Sequence, residues 1–230
     1  GGTDYGKYAL PDVGHDLWNW CQVKVGYADG HVPGYRIPDV MVSSLTKATL
    51  VFIFLHPRRT QMLRRAFVIL GIILWMRTLT VTMTQIPDAS PTCQAQFHDP
   101  EGRGAYKRRA IVPGAFKRAW VFMTAPTSHI TCGDMIFSGH TTFLMLCAMV
   151  FNKYCRADYM ETRIFLRNWQ VTEALCRALR YAVYAWTAAG AALIIGTRLH
   201  YTLDVSLALY TTYWTFHHYH TWLPPTPDSN

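Results

Sequence analysis

Five apolar blocks, each near the length that crosses a bilayer, constrain the 230-residue chain more than any other feature. They run over residues 40–55, 66–84, 141–151, 181–195 and 201–222. A span needs about 20 mostly apolar residues, so the third block needs its flanks, 137–154, to qualify. Half of the residues are hydrophobic and only 16% are charged. A soluble helical protein would have to bury five such blocks in one short chain. The expectation is therefore an all-α polytopic membrane helix bundle with five spans.

The intervening segments complete the expected organisation. Residues 1–36 form a polar luminal or exoplasmic N-terminal segment, in which Leu17, Trp18 and Trp20 suit the headgroup region. Residues 37–222 form the membrane-embedded bundle, with a long luminal loop over 85–137, and 223–230 a tail. Within the loop, 115–124 is too short to span and reads as an interfacial piece. An amphipathic cytosolic helix is expected over 160–179. No signal-peptide pattern is visible at the start.

The net charge of +8 does not point to nucleic acid, because its arginines cluster between apolar blocks. Arg58, Arg59, Arg64 and Arg65 separate the first two blocks. Lys153, Arg156, Arg163, Arg167, Arg177 and Arg180 separate the third and fourth. Short basic loops face the cytosol, and single spans put both on one side. Cys21, Cys93 and Cys132 then fall opposite, where a Cys93–Cys132 disulfide would pin the long loop.

Two short stretches carry chemistry. In RLHYTLDV (198–205), His200 and Asp204 are four apart and share one helix face. A carboxylate there fixes one imidazole nitrogen and leaves the other basic, although a structural pair or a metal site uses the same spacing. In CGDMIFSGHT (132–141), His140 opens another block. Counting spans puts both histidines on the non-cytosolic side, where ionisable residues at a membrane helix are usually functional. Two such histidines suit a two-step phosphoryl transfer, one attacking phosphorus and the other protonating the leaving oxygen. Gly139 permits close backbone approach, Ser138 and the helix start suit phosphate oxygens, and Arg198 can neutralise them. Arg77 lies mid-span and should face protein or water. His217, His218 and His220 look like a metal cluster but lie a helix length from His200 and read as interfacial.

These stretches resemble a known family. CGDMIFSGHT is similar to the C-G-D-x3-S-G-H-T motif of the sphingomyelin synthase family, within the wider lipid phosphatase superfamily. The run 200–220 resembles that family's second long motif, matching at His200, Tyr201, Thr202, Asp204, Val205, Phe216, Tyr219 and His220. Leu209 stands where the family often has Tyr, beside Tyr210. Arg64-Arg65, Arg77 and Thr84 match the arginine motif, with Leu74 at a Tyr position. Ser128-His129 is family-like, and the LPD of 10–12 is similar to the first motif, P-P-L-P-D, with Ala9 replacing a proline.

The resemblance implies six spans, the first ahead of LPD and so absent here. It implies a transferase that moves a phospho-head group from a glycerophospholipid to the primary hydroxyl of ceramide, releasing diacylglycerol. His200, oriented by Asp204, would form a phosphohistidine; His140 would protonate the diacylglycerol oxygen and then deprotonate ceramide. The scheme requires no metal and no cofactor. Asp134, Ser138, Gly139, Arg198 and Tyr201 would bind substrate, with Asp134 holding a head-group cation. Tyr201, Tyr210, Tyr213, Trp214 and Trp120 are further candidates for that cation, though packing explains any one ring as well. The implied partners are ceramide, the donor lipid and the bilayer, with a homodimer allowed. The implied location is the Golgi or plasma membrane, with the site on the luminal or extracellular side. The alternatives are a lipid phosphate phosphatase or phospholipase C-type hydrolase, whose full superfamily pattern is absent, and an inactive scaffold.

Overall fold

The computed structural model describes residues 10–25, 37–84, 136–156 and 173–223. These form six helices and no strand: α1 Val13–Val25, α2 Ile37–Leu55, α3 Arg59–Met83, α4 Gly139–Tyr154, α5 Glu173–Gly196 and α6 Thr202–Trp222. Each apolar block became one helix, α2 to α6. The interfacial piece at 115–124 and the Cys93–Cys132 pair lie outside the described residues, as does the first part of the expected amphipathic helix.

Local chemistry sets the helix ends. α2 opens on Ile-Pro-Asp, with Pro38 in the first turn where a missing N–H costs nothing and Asp39 facing the positive helix end. It stops at Leu55 because His56 precedes Pro57, which disfavours helical backbone in the residue before it. Hydroxyls inside the apolar helices donate back to the turn before them: Thr49 to the Leu45 carbonyl at 2.7 Å and Thr78 to that of Leu74 at 2.9 Å. Those polar groups therefore need no water.

α2, α3 and α5 are long and apolar enough to cross a membrane alone. α4, with 16 residues, rises only about 24 Å. It is instead the core of the bundle, packed against α2, α3, α5 and α6. Leu144, Leu146, Ala148 and Val150 point in different directions around it and are all buried, the pattern of a fully enclosed helix. Gly190 of α5 presses on it, since a Cβ there would meet Leu144 Cδ1 at 2.7 Å. α3 lies further out: Ile69 and Ile73 are fully buried while Phe67, Ile72, Trp75 and Leu79 are exposed. An apolar outer surface of that kind suits lipid, and the molecule is a helical membrane protein.

The chain runs up and down, so the starts of α2, α4 and α6 share one end with the finishes of α3 and α5. At the opposite end Tyr154 donates to His220 Nε2 at 3.0 Å, and His220 Nδ1–H donates to the Phe216 carbonyl at 2.9 Å. Arg180 donates there to the Cys155 carbonyl at 2.8 Å and to Glu173 at 2.7 Å. Burial beside Cys176 pushes the Cys155 thiol up to about 12, so it stays protonated.

Candidate active site

The site sits at the first of these ends, where five elements converge. Ser138 caps α4: its hydroxyl accepts from the Thr141 N–H at 3.3 Å and the Thr141 hydroxyl at 3.0 Å. The segment ahead of the cap is tied to two neighbours. Arg77 Nε donates to the Phe137 carbonyl at 2.8 Å, and Thr80 Oγ1 to that of Ile136 at 3.0 Å. From α6, the Asp204 carbonyl accepts from the Ser138 N–H at 3.3 Å. α4 therefore starts from a fixed frame, and His140 is its second residue.

His140 and His200 face one another with ring centroids 6.2 Å apart. Each has a carboxylate. His140 Nε2–H donates to Asp39 Oδ1 at 2.8 Å, a contact between α4 and the first turn of α2. That leaves Nδ1 as the working nitrogen. His200 Nδ1 lies 3.8 Å from Asp204 Oδ2, an ion-pair distance rather than a hydrogen bond. Asp204 Oδ2 itself accepts from the Tyr201 N–H at 3.1 Å. His200 and Asp204 are buried, whereas the His140 side chain is 37% exposed. Burial pulls His200 below the ordinary histidine value; Asp204 opposes this, and the nearby His140 and Arg77 charges add to it. The neutral imidazole is favoured, the form in which a histidine can act as a nucleophile or a base.

Arg77 belongs to this site. Its guanidinium lies against Gly139, where a Cβ would meet Nη1 at 3.0 Å. The arginine thus sits beside the amide-rich start of α4, and the pair forms an anion-favouring corner.

Of the other candidates, Ser138 is fully buried and its hydroxyl is taken up in the cap. Arg198 is half-buried in the α5–α6 turn with φ 55. Tyr201 is buried, its phenolic oxygen accepting from the Leu10 N–H at 3.1 Å. Tyr210, Tyr213 and Trp214 are exposed along α6, and His217 and His218 pack on the latter two. Asp134 and Trp120 lie outside the described residues. The residue that sequence reasoning missed is Asp39. The first apolar block begins at position 40, one past it, though an acid at a membrane helix start is itself a signal.

Residues 131–221 match the family described as PAP2 superfamily C-terminal, a stretch that holds His140, His200 and Asp204. The chain is 27% identical to human sphingomyelin synthase-related protein 1 across 81% of its own length and 40% of that protein. It is 26% identical to phosphatidylcholine:ceramide cholinephosphotransferase 2 of Caenorhabditis elegans, across 80% of the chain and 51% of the relative. The mouse protein of that name is 27% identical over 65% of the chain and 35% of its own length. The chain thus spans about half, or less, of the curated relatives it matches. The resemblance carried by the motifs stands: this is a helical membrane protein similar over most of its length to sphingomyelin synthase-type proteins, and the stretch that holds its candidate site matches the PAP2 superfamily C-terminal model.

Proposed function

We propose that the protein transfers a phospho-head group from a glycerophospholipid to the primary hydroxyl of ceramide, releasing diacylglycerol. One observation carries the reading: two histidines 6.2 Å apart at one end of a membrane bundle, each beside a carboxylate. The names of the relatives, ceramide cholinephosphotransferases among them, supply the substrate class.

In the first step the His200 Nε2 lone pair attacks phosphorus and the P–O bond to the glycerol carbon chain breaks. His140, protonated at Nδ1 and stabilised by Asp39, gives its proton to the departing diacylglycerol oxygen. His200 carries the phospho-head group as a phosphohistidine, its Nδ1–H directed at Asp204. In the second step neutral His140 takes the proton of the ceramide hydroxyl. The ceramide oxygen attacks phosphorus, the P–N bond breaks, and His200 returns neutral. Arg77 and the first amides of α4 balance the phosphoryl charge in both steps. The site lies on the luminal or extracellular face of the Golgi or plasma membrane, opposite the basic end that holds Arg58, Arg59, Lys153 and Arg156.

The test is turnover in liposomes with fluorescent ceramide and, in turn, phosphatidylcholine, phosphatidylethanolamine and phosphatidylinositol, with H200A as control. A head-group-bearing ceramide that disappears in H200A is the expected result and names the donor. Diacylglycerol without a ceramide product would replace transfer by hydrolysis, with water entering beside the partly exposed His140. No turnover with any donor would leave a scaffold.

A further inference from the structure

Three consecutive residues at the proposed nucleophile are each held from the other end of the chain. His15 Nε2–H donates to the His200 carbonyl at 3.1 Å. The Leu10 N–H donates to the Tyr201 phenolic oxygen at 3.1 Å. Thr202 donates twice to Asp12, through its N–H to Oδ2 at 2.7 Å and through its hydroxyl to Oδ1 at 2.6 Å. Asp12 also accepts from the His15 N–H at 3.0 Å, so one carboxylate sits at the start of both α1 and α6. Burial alone would raise Asp12, but the Thr202 bonds and then the His15 N–H outweigh it and hold the carboxyl below its ordinary range. It therefore stays ionised. Two glycines let α1 come this close: a Cβ on Gly14 would collide with the Thr202 hydroxyl, and one on Gly196 with the Trp18 indole.

The ring of His200 is far less constrained than its backbone. Nδ1 and Asp204 Oδ1 are both buried without a hydrogen-bond partner among the described residues. The turn leading into His200 puts Arg198 in the left-handed region, which disfavours arginine, so this backbone does not hold its shape unaided. Where the imidazole stands depends on where its backbone is held.

We infer that segment 10–15 is a positioning clamp for His200, with Asp12 as its anchor. The inference rests on the reading of His200 as nucleophile. Asp12, His15 and Thr202 touch no reacting atom; they fix the distance from Nε2 to phosphorus and to His140. Loss of the clamp slows both chemical steps and leaves lipid binding alone.

The experiment compares D12N, T202V and T202S in the liposome-reconstituted protein, with two readouts. In steady state, D12N and T202V lower kcat about 10- to 100-fold with KM for both lipids unchanged, while T202S recovers most of the rate. Independently of turnover, carbethoxylation by diethyl pyrocarbonate is followed residue by residue by mass spectrometry. His200 reacts at least fivefold faster in D12N and T202V than in wild type or T202S, and His220, buried at the far end, does not change. Unchanged His200 reactivity in both variants overturns the clamp, as does an equal rise at His220, which would mean general loosening. An active H200A would instead remove His200 as nucleophile, a separate failure that the labelling readout does not share.

Discussion

The two histidine–carboxylate pairs are built in opposite ways. His200–Asp204 is local, four residues apart, buried, and open at 3.8 Å. His140–Asp39 joins helices 101 residues apart, is partly exposed, and is closed at 2.8 Å. The buried pair suits a neutral nucleophile, since burial keeps its proton off. The wetter pair suits a proton shuttle, since a group that alternates between charged and neutral forms needs both a fixed counter-charge and solvent. The proposed division of roles rests on this asymmetry.

The largest effect that tests this division is at His200. H200A should remove transfer by about 10³-fold or more, with no labelled phosphohistidine on acid-free gels. H140A should cost about 10²- to 10⁴-fold but leave a slow burst of labelled His200, because the nucleophile is intact and only proton delivery is lost. Equal loss of the labelled intermediate in both would erase the distinction.

Next come the carboxylates. D39N should lower kcat about 10²-fold, because it takes the counter-charge away from the shuttle. D204N should act on the acidic limb of the rate profile. Burial lowers His200, so under the proposed mechanism protonation should stop turnover only below the ordinary histidine value of about 6.5. Asp204 raises His200 against that burial, so its removal moves the limb to lower pH while the rate falls. A limb that rises in D204N would show that Asp204 does not face His200 in the working enzyme.

The same contrast shows what the sequence could disclose. Asp204 was legible because helical spacing alone puts it over His200. Asp39 was not, because its relation to His140 exists only after α2 and α4 pack. Apolar block length located α2 to α6, since lipid leaves a lone segment no other way to satisfy its backbone than a helix. Length failed to describe α4, whose 16 residues make sense only inside a jacket of four helices. Asp12 was visible as part of a motif, but its hold on Thr202 spans 190 residues, and no periodicity reports a contact of that range.

A smaller effect is expected at Gly139. G139A places a methyl 3.0 Å from the Arg77 guanidinium, which is the flexible end of its side chain and gives way. The corner beside α4 opens and kcat/KM falls about tenfold. An unchanged rate with every donor would put Arg77 outside the phosphate path.

The smallest effect separates two roles for Ser138. As a substrate ligand its loss would raise KM and leave stability alone. The geometry gives it other work: the hydroxyl is fully buried and accepts from both the N–H and the hydroxyl of Thr141. S138A should therefore cost about 1 kcal/mol as a lost helix cap, with a fall in Tm of about 2–4 °C. KM should hold, and kcat should fall only severalfold as the start of α4 frays under His140. A raised KM at unchanged Tm would return Ser138 to the phosphate and require its hydroxyl to leave the cap when lipid binds.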